Sequence, residues 1–237
     1  MDLGIEGRAA LVTAASRGLG LGSARALAEE GCRLAVCARD PVSLERAAAE
    51  LPGESLALPA DVTDPAVPAG LVAATVERFG RLDVLVANAG GPPAARALEV
   101  EDEVLVAALN ANLLTSIRLV REAVPHMRLN GWGRIVLITS VGVKEPIPTL
   151  AYSNSARAGL WAWAKTAAAD LIEHGITLNL ACPGTHATDR ARELGLTGRM
   201  GDPNDFGRVV AFLCSEPASF VSGAALQVDG AGIAGLL

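Results

Sequence analysis

An α/β fold, a doubly wound parallel sheet of seven strands in three layers, is predicted by three features of the sequence. Seven short apolar runs recur along the chain, longer amphipathic stretches separate them, and the first run opens directly into a glycine-bearing turn and a helix. Uninterrupted apolar strands, as opposed to alternating ones, mark a sheet covered on both faces. Parallel neighbours also need crossovers as long as these intervening helices. Strand and helix in regular alternation then indicate one doubly wound unit.

The strands read RAALVT (8–13), CRLAVCA (32–38), SLALPA (55–60), LDVLVA (82–87), RIVLIT (134–139), ITLNLA (176–181) and ALQV (225–228). After the first comes TAASRGLGLGSARALAEEG, with Gly18 and Gly20 at the turn and Gly31 stopping the helix. A helix N-terminus offers unpaired N–H groups and partial positive charge, and glycines let a pyrophosphate approach the backbone closely. This turn is therefore the candidate phosphate site. Asp64 and Pro65 ahead of VPAGLVAATVERFG supply an N-cap side chain and a preset φ, with Gly80 as the stop. Asp202 and Pro203 open a last helix, on which Val209, Phe212 and Leu213 fall on one face at spacings of three and four.

With 237 residues, 51% of them hydrophobic, the chain can bury a full core. Pro, Gly and Ser are scattered, with no low-complexity run or repeat, so residues 1–237 read as one domain with a substrate loop at about 185–203. A net charge of -6 gives no general attraction to nucleic acid or anionic lipid, and neither is expected as a partner. The opening residues MDLGIEGRAALVTAAS lack a signal-peptide pattern and no run of 18 apolar residues occurs, so a soluble, untargeted, cytoplasmic protein is expected. Cys32, Cys37, Cys182 and Cys214 stand apart in apolar surroundings and form no metal-ligand cluster. They read as buried reduced thiols, with no metal site.

Thr13 to Gly20 resembles the TGxxxGxG turn of the short-chain dehydrogenase/reductase family, and the resemblance runs along nearly the whole chain. It assigns Thr13, Ser16, Arg17, Gly18, Leu19 and Gly20 to the coenzyme, with Ala14 standing where the family has its first glycine. Asp61 and Val62 resemble the adenine contact, and Asn88, Ala89 and Gly90 the NAG motif. Pro183 and Gly184 with Thr188 are similar to the PG motif and carboxamide-binding threonine, and Asp229-Gly230 to the C-terminal DG. The position that commonly carries an acid for the ribose 2′-hydroxyl of NAD aligns with Ala38, which would not repel a phosphate. Arg39 beside it, with Arg17, can clamp a 2′-phosphate, so NADP is the expected cofactor and NAD the less favoured one. The competing reading is two solvated surface arginines.

In this family Tyr delivers the proton, Lys lowers its pKa and holds the ribose, Ser steadies the substrate oxygen, and Asn supports a water relay. The resemblance places Ser140 and Asn112 in two of these roles, while the segment Ala151-Tyr152-Ser153-Asn154-Ser155-Ala156-Arg157 breaks the Tyr-xxx-Lys pattern. Counting from Tyr152 puts Ala156 at the Lys position. Counting back from the family-like AGL at 158–160 puts Arg157 there and Ser153 at the Tyr position, the preferred register. At about 100° per residue, 153 and 157 lie within about 40° on a helix, whereas 152 and 157 are about 140° apart. Tyr152 either packs or, from a non-helical turn, swings to the cleft. Arg157 can hold a ribose hydroxyl, but a serine hydroxyl is a poor acid. Lys144 on the loop after Ser140 is an alternative proton relay or simply solvated.

The loop THATDRARELGLTGRMGDP carries His186, Arg190, Arg192 and Arg199. Its basic character suits an anionic or carrier-linked acyl substrate, or merely solubility. The expected function is oxidoreduction of a small-molecule carbonyl or alcohol, most like the 3-oxoacyl-carrier-protein reductase branch but with an atypical catalytic motif. The alternative is a dinucleotide-binding protein without turnover, acting as sensor or oligomeric partner. The family resemblance and the apolar helix after Ser153, with Leu160, Trp161, Trp163, Ala164, Ala167, Ala168 and Leu171, predict a homotetramer or homodimer.

Overall fold

The computed structural model describes residues 1–235. Seven strands, β1 (Ala9–Thr13), β2 (Arg33–Ala38), β3 (Ser55–Pro59), β4 (Val84–Ala87), β5 (Gly133–Ile138), β6 (Ile176–Pro183) and β7 (Ala225–Val228), form one parallel sheet in the order β3-β2-β1-β4-β5-β6-β7. Each lies within two residues of its predicted span. The order reverses between β1 and β4, which opens a crevice at the carboxyl ends of the strands, the usual ligand position in open α/β sheets.

Helices α1 (Gly18–Glu29), α2 (Pro41–Ala49), α3 (Val67–Phe79), α4 (Asp102–Leu109), α5 (Thr115–Asn130), α6 (Ala151–Leu171), α7 (Asp189–Glu193) and α8 (Pro203–Leu213) complete the chain. Register builds the two cores. Ala35, Leu11, Leu85, Ile135 and Leu178 pair in a row across five strands and pack one face against Leu71, Phe79, Leu119, Met127 and Leu160 of α3, α5 and α6. The next row, Val36, Val12, Val86 and Val136, faces Leu27, Leu44, Phe206 and Val210 of α1, α2 and α8. Both faces are thus dry, which is why the strands read as continuous apolar runs.

Helix α1 crosses α8 with backbones in near contact. A Cβ on Gly22 would sit 2.2 Å from the Pro203 carbonyl oxygen, and one on Gly207 only 2.1 Å from that of Gly22. On the opposite layer α4, a π-helical turn at Asn110–Leu114 and α5 continue as one rod, Asp102–Asn130. By length and composition that rod could cross a bilayer. Here it lays Leu119, Val120, Ala123 and Met127 against the sheet.

Two local expectations are corrected. Asp64 is not the N-cap of α3. The N-cap is Ala66, two residues later, and Asp64 Oδ1 instead accepts from Ala66 N at 2.9 Å in the turn leading into the helix. On α8 the buried residues are Phe206, Gly207, Val210, Ala211 and Leu213, while Phe212 is exposed, because the helix rotates its Gly207 edge toward α1. Asp202 does cap α8, accepting from Asn204 N at 2.7 Å, and Gly80 ends α3 in the left-handed conformation. All four cysteines are free and buried, and desolvation pushes the Cys32 and Cys37 thiols up to about 12.

Candidate active site

The turn between β1 and α1 is braced across the crevice. Thr13 Oγ1 donates to the Asn88 carbonyl at 2.7 Å and accepts from Asn88 N at 2.9 Å, while Asn88 Nδ2 reaches Ala14 O at 3.4 Å. Ala14 sits at φ 48, the left-handed region, so its methyl is held against its own backbone preference. Gly20 has no room for a side chain, since a Cβ would lie 2.2 Å from Ala14 O. No side chain caps α1 at Arg17, and its first turn carries no acid. Its leading N–H groups therefore face the crevice open to an anion. That is the donor set a dinucleotide pyrophosphate requires, and the residues present fit it. Ser16, Gly18 and Leu19 lie in this turn, and Thr188 packs across it, its Cγ2 3.4 Å from a Cβ built on Gly18.

Toward the adenine side, β2 ends at buried Ala38 and exposed Arg39, and Arg39 makes no hydrogen bond or ion pair among the described residues. Asp61 Oδ1 accepts from Thr63 N at 3.0 Å and Thr63 Oγ1 at 2.8 Å. Those bonds, with the nearby Arg39 charge, hold its carboxyl below the usual range. Val62 is buried and its carbonyl accepts from Thr115 at 3.2 Å. Ala89 is half-buried, and Gly90 beside it is exposed with open space where a Cβ would point. Arg17, expected beside Arg39, turns the other way and pairs with Asp189 of α7 at 3.1 Å. Asp189 also meets Arg192, and both guanidiniums lower its pKa, Arg17 the more.

At the far end, Pro183 closes β6, and Gly184 lies under Asp229, with Gly184 N donating to Val228 O at 3.0 Å. Thr188 caps α7 by accepting from Ala191 N at 3.3 Å. Two of the loop's basic side chains are tied to backbone carbonyls rather than free. His186 is buried edge-on to Phe206 with Nδ1 3.1 Å from Gly184 O, and Arg190 donates to Pro92 O at 2.6 Å.

The candidate catalytic segment is helical from Ala151, which separates Tyr152 from Arg157. Tyr152 is buried, and its hydroxyl accepts from Glu101 N at 2.8 Å, beneath the start of α4. Ser153 and Arg157 share one face, Arg157 Nε donating to Ser153 Oγ at 3.2 Å and Nη1 to Ile138 O at 2.9 Å. Both are buried, and desolvation pulls the Arg157 guanidinium down to about 10, leaving it charged at neutral pH. Ser140 Oγ, just beyond β5, accepts from Gly142 N at 3.0 Å.

The π-helical turn turns Asn112 inward, where neither its Oδ1 nor its Nδ2 has a partner. Asn110 Nδ2 to Thr63 O at 2.8 Å and Arg118 to Asn110 Oδ1 at 2.7 Å hold the turn in place. Lys144 lies over the Trp161 ring, 5.6 Å from its centroid. The cluster thus offers a permanent positive charge, two serine hydroxyls and a free carboxamide, without a phenol. Not foreseen from the sequence were the Thr139 and Cys182 contact at 3.2 Å and the Arg190 latch to Pro92. Neither carries a local pattern that would announce it.

A family model described as enoyl-(acyl carrier protein) reductase matches residues 13–232. Dehydrogenase/reductase SDR family member 4 of Sus scrofa is 32% identical over 95% of this chain and 87% of its own length. The 3-oxoacyl-[acyl-carrier-protein] reductase of Synechocystis sp. is 33% identical over 95% of this chain and 97% of its own. Among solved structures, L-sorbose reductase from Gluconobacter frateurii, complexed with NADPH and L-sorbose, superposes with a TM-score of 0.91 at 30% identity, covering 97% of this chain and 98% of that one. A putative gluconate dehydrogenase from Agrobacterium tumefaciens gives 0.91 at 28% identity, covering 97% of each.

Proposed function

The chain belongs to the short-chain dehydrogenase/reductase family of oxidoreductases, and we propose on that footing that it moves a hydride between NADP(H) and a carbonyl compound or secondary alcohol. The observation that carries the coenzyme half is the open N-terminus of α1 beside an unpaired Arg39, with Ala38 where an acid would repel a 2′-phosphate. The NADPH held by the sorbose reductase neighbour supports the same choice. When bound, the nicotinamide supplies or accepts the hydride. Around it Ser140 steadies the substrate oxygen, Asn112 offers its free carboxamide to a water, and Arg157 holds charge against the ribose side. A 3-oxoacyl substrate, free or carrier-linked, is the class carried over from the Synechocystis relative.

Reduction of a carbonyl also needs a proton at oxygen, and neither Ser153 nor Arg157 is an acid of useful strength at neutral pH. We assign that proton to water reaching the Asn112 and Ser140 side. A second reading, a dinucleotide-binding sensor or oligomeric partner without turnover, is favoured by the Tyr152 hydroxyl being committed to Glu101.

Calorimetry with NADPH and NADH tests the coenzyme, and a carbonyl screen with NADPH tests turnover. NADPH should bind more tightly, and Arg39→Asp should narrow or reverse the ratio. One charge-assisted phosphate contact is worth about 1.5–3 kcal/mol, roughly ten- to a hundredfold in affinity. Equal affinities in the parent would sink the NADP assignment. A silent parent that gains activity as Ser153→Tyr with Arg157→Lys would favour the second reading.

A further inference from the structure

Ser140 opens the segment 141–150 that joins β5 to α6, and a side chain of the helix that follows holds this segment in place. Asn154 Oδ1 accepts from Ile147 N at 3.3 Å and its Nδ2 donates to Ile147 O at 2.8 Å. One carboxamide thus takes both backbone groups of a single residue. Asn154 N is itself bonded to Leu150 O at 2.8 Å, which fixes the base of the side chain in the first turn of α6.

The same side chain also meets the start of the segment. A Cβ built on Gly142 would lie 2.6 Å from Asn154 Oδ1 and 3.3 Å from Ser140 Oγ, so Asn154 and Ser140 converge on the bare α-carbon of Gly142. Gly142 N in turn donates to Ser140 Oγ at 3.0 Å. A chain of contacts therefore runs from α6 through Asn154 and Gly142 to the serine oxygen. An Asn that merely caps a helix accepts from an N–H of the helix's own first turn. Asn154 instead lies inside α6 and spends both donor and acceptor on the preceding segment. The consequence falls on the serine. A hydroxyl has one donor and two acceptor sites, and with Gly142 N on one lone pair the O–H hydrogen is left to donate outward. Without Gly142 the same rotor turns freely.

We propose that Asn154 is the positioning residue of Ser140: it pins the segment to α6 at Ile147, packs on Gly142, and so keeps the Gly142 N–H on the serine oxygen and the serine hydrogen free for a substrate oxygen. The functional half rests on the reading of Ser140 as the group that steadies that oxygen. Asn154 acts through Ser140 and adds no chemical step.

The thiol of Ser140→Cys reads this geometry without substrate or coenzyme. All four native cysteines are buried and burial raises each of their thiols, so in the intact protein the introduced thiol, at a partly exposed position, is the one that iodoacetamide reaches. Titration in about 1 M salt screens Lys144 and Glu145 on the same segment. With Gly142 N on the sulfur, the pKa of alkylation should lie below the ordinary value of about 8.5. Adding Asn154→Ala should bring it back up to that value. Gly142→Ala, whose methyl would fall between Asn154 Oδ1 and Ser140 Oγ, should do the same, and it decides the matter if Asn154→Ala does not fold. An ordinary pKa with Asn154 in place, or one unmoved in a folded variant, overturns the proposal. With Ser140 native, and on a carbonyl found in the NADPH screen, Asn154→Ala should lower kcat at least about tenfold with KM within about threefold. It should cost nothing further once Ser140→Ala is in place, and losses that multiply overturn the positioning role. If the thiol responds while the parent turns over no carbonyl, the oxidoreductase reading falls and the placement of Ser140 by Asn154 stands.

Discussion

At Ala14 one methyl group is set against the backbone. An L-residue at φ 48 carries a clash between Cβ and the following carbonyl, worth about 1–2 kcal/mol, and the neighbouring Gly20 has no space to let the turn relax. Ala14→Gly should remove that strain while making the unfolded chain more flexible, which costs about 0.4–1 kcal/mol. A net gain between zero and about 1.6 kcal/mol is expected in urea unfolding. A loss in stability would show that the methyl packs usefully against the turn. Tyr152 illustrates the opposite case, a reactive side chain in a structural post. Its hydroxyl serves Glu101 N, so Tyr152→Phe should cost about 1 kcal/mol of stability and change turnover less than tenfold, about 1.4 kcal/mol in barrier. Because Arg157 stays protonated below about 10, the rate should also lack the inflection that a catalytic phenol of lowered pKa would produce. Turnover abolished in folded Tyr152→Phe with coenzyme affinity intact would make Tyr152 the acid after all.

Among the elements, the crossing of α1 over α8 ties stability to the coenzyme turn. A methyl on Gly207 would meet the Gly22 carbonyl oxygen at 2.1 Å, and the three nearest atoms are all backbone, so the helices must part. Gly207→Ala should cost about 1–3 kcal/mol and, by shifting the α1 N-terminus, weaken NADPH binding as well. Lost stability with coenzyme affinity unchanged would show that α1 yields elsewhere. The strands were legible to within two residues because a sheet covered on both faces leaves no polar alternation to blur them. The glycine turn was legible for a similar reason, since its requirement is local. What stayed hidden depends on neighbours remote in sequence. Arg17 turns to Asp189, 172 positions away, and Tyr152 reaches Glu101, 51 positions away, while His186 hides its ring against Phe206. The inward turn of Asn112 comes from a π-helical widening that apolar periodicity does not register. Shared placement of Ser153 and Arg157 on one face followed from helical geometry alone.

At the scale of the molecule, two of the places where apolar side chains stay uncovered lie on elements able to meet a second copy of the chain. Along the rod Asp102–Asn130, Val106, Leu114 and Leu129 point outward while the opposite face packs on the sheet. At the other end, β7 is an edge strand with Leu226 partly exposed, and Phe220 nearby is 96% exposed. The helix after Ser153 contributes less than its composition suggested, since Leu160, Ala164, Ala168 and Leu171 are buried and Trp161 and Trp163 are half-buried against the same core. An unpaired parallel edge and an apolar helical stripe are each liabilities for a monomer at high concentration. Two distinct self-complementary patches, each closing on a twofold axis, generate a tetramer of dihedral symmetry, whereas one alone stops at a dimer. Light scattering should therefore return about 97 kDa, four times the 24.2 kDa chain. Charging one patch with Val106→Glu and Leu129→Glu should halve that mass without unfolding the protein, because neither side chain enters the core. A parent that remains near 24 kDa at micromolar concentration would mean that these patches stay open to solvent and that assembly is no part of the fold.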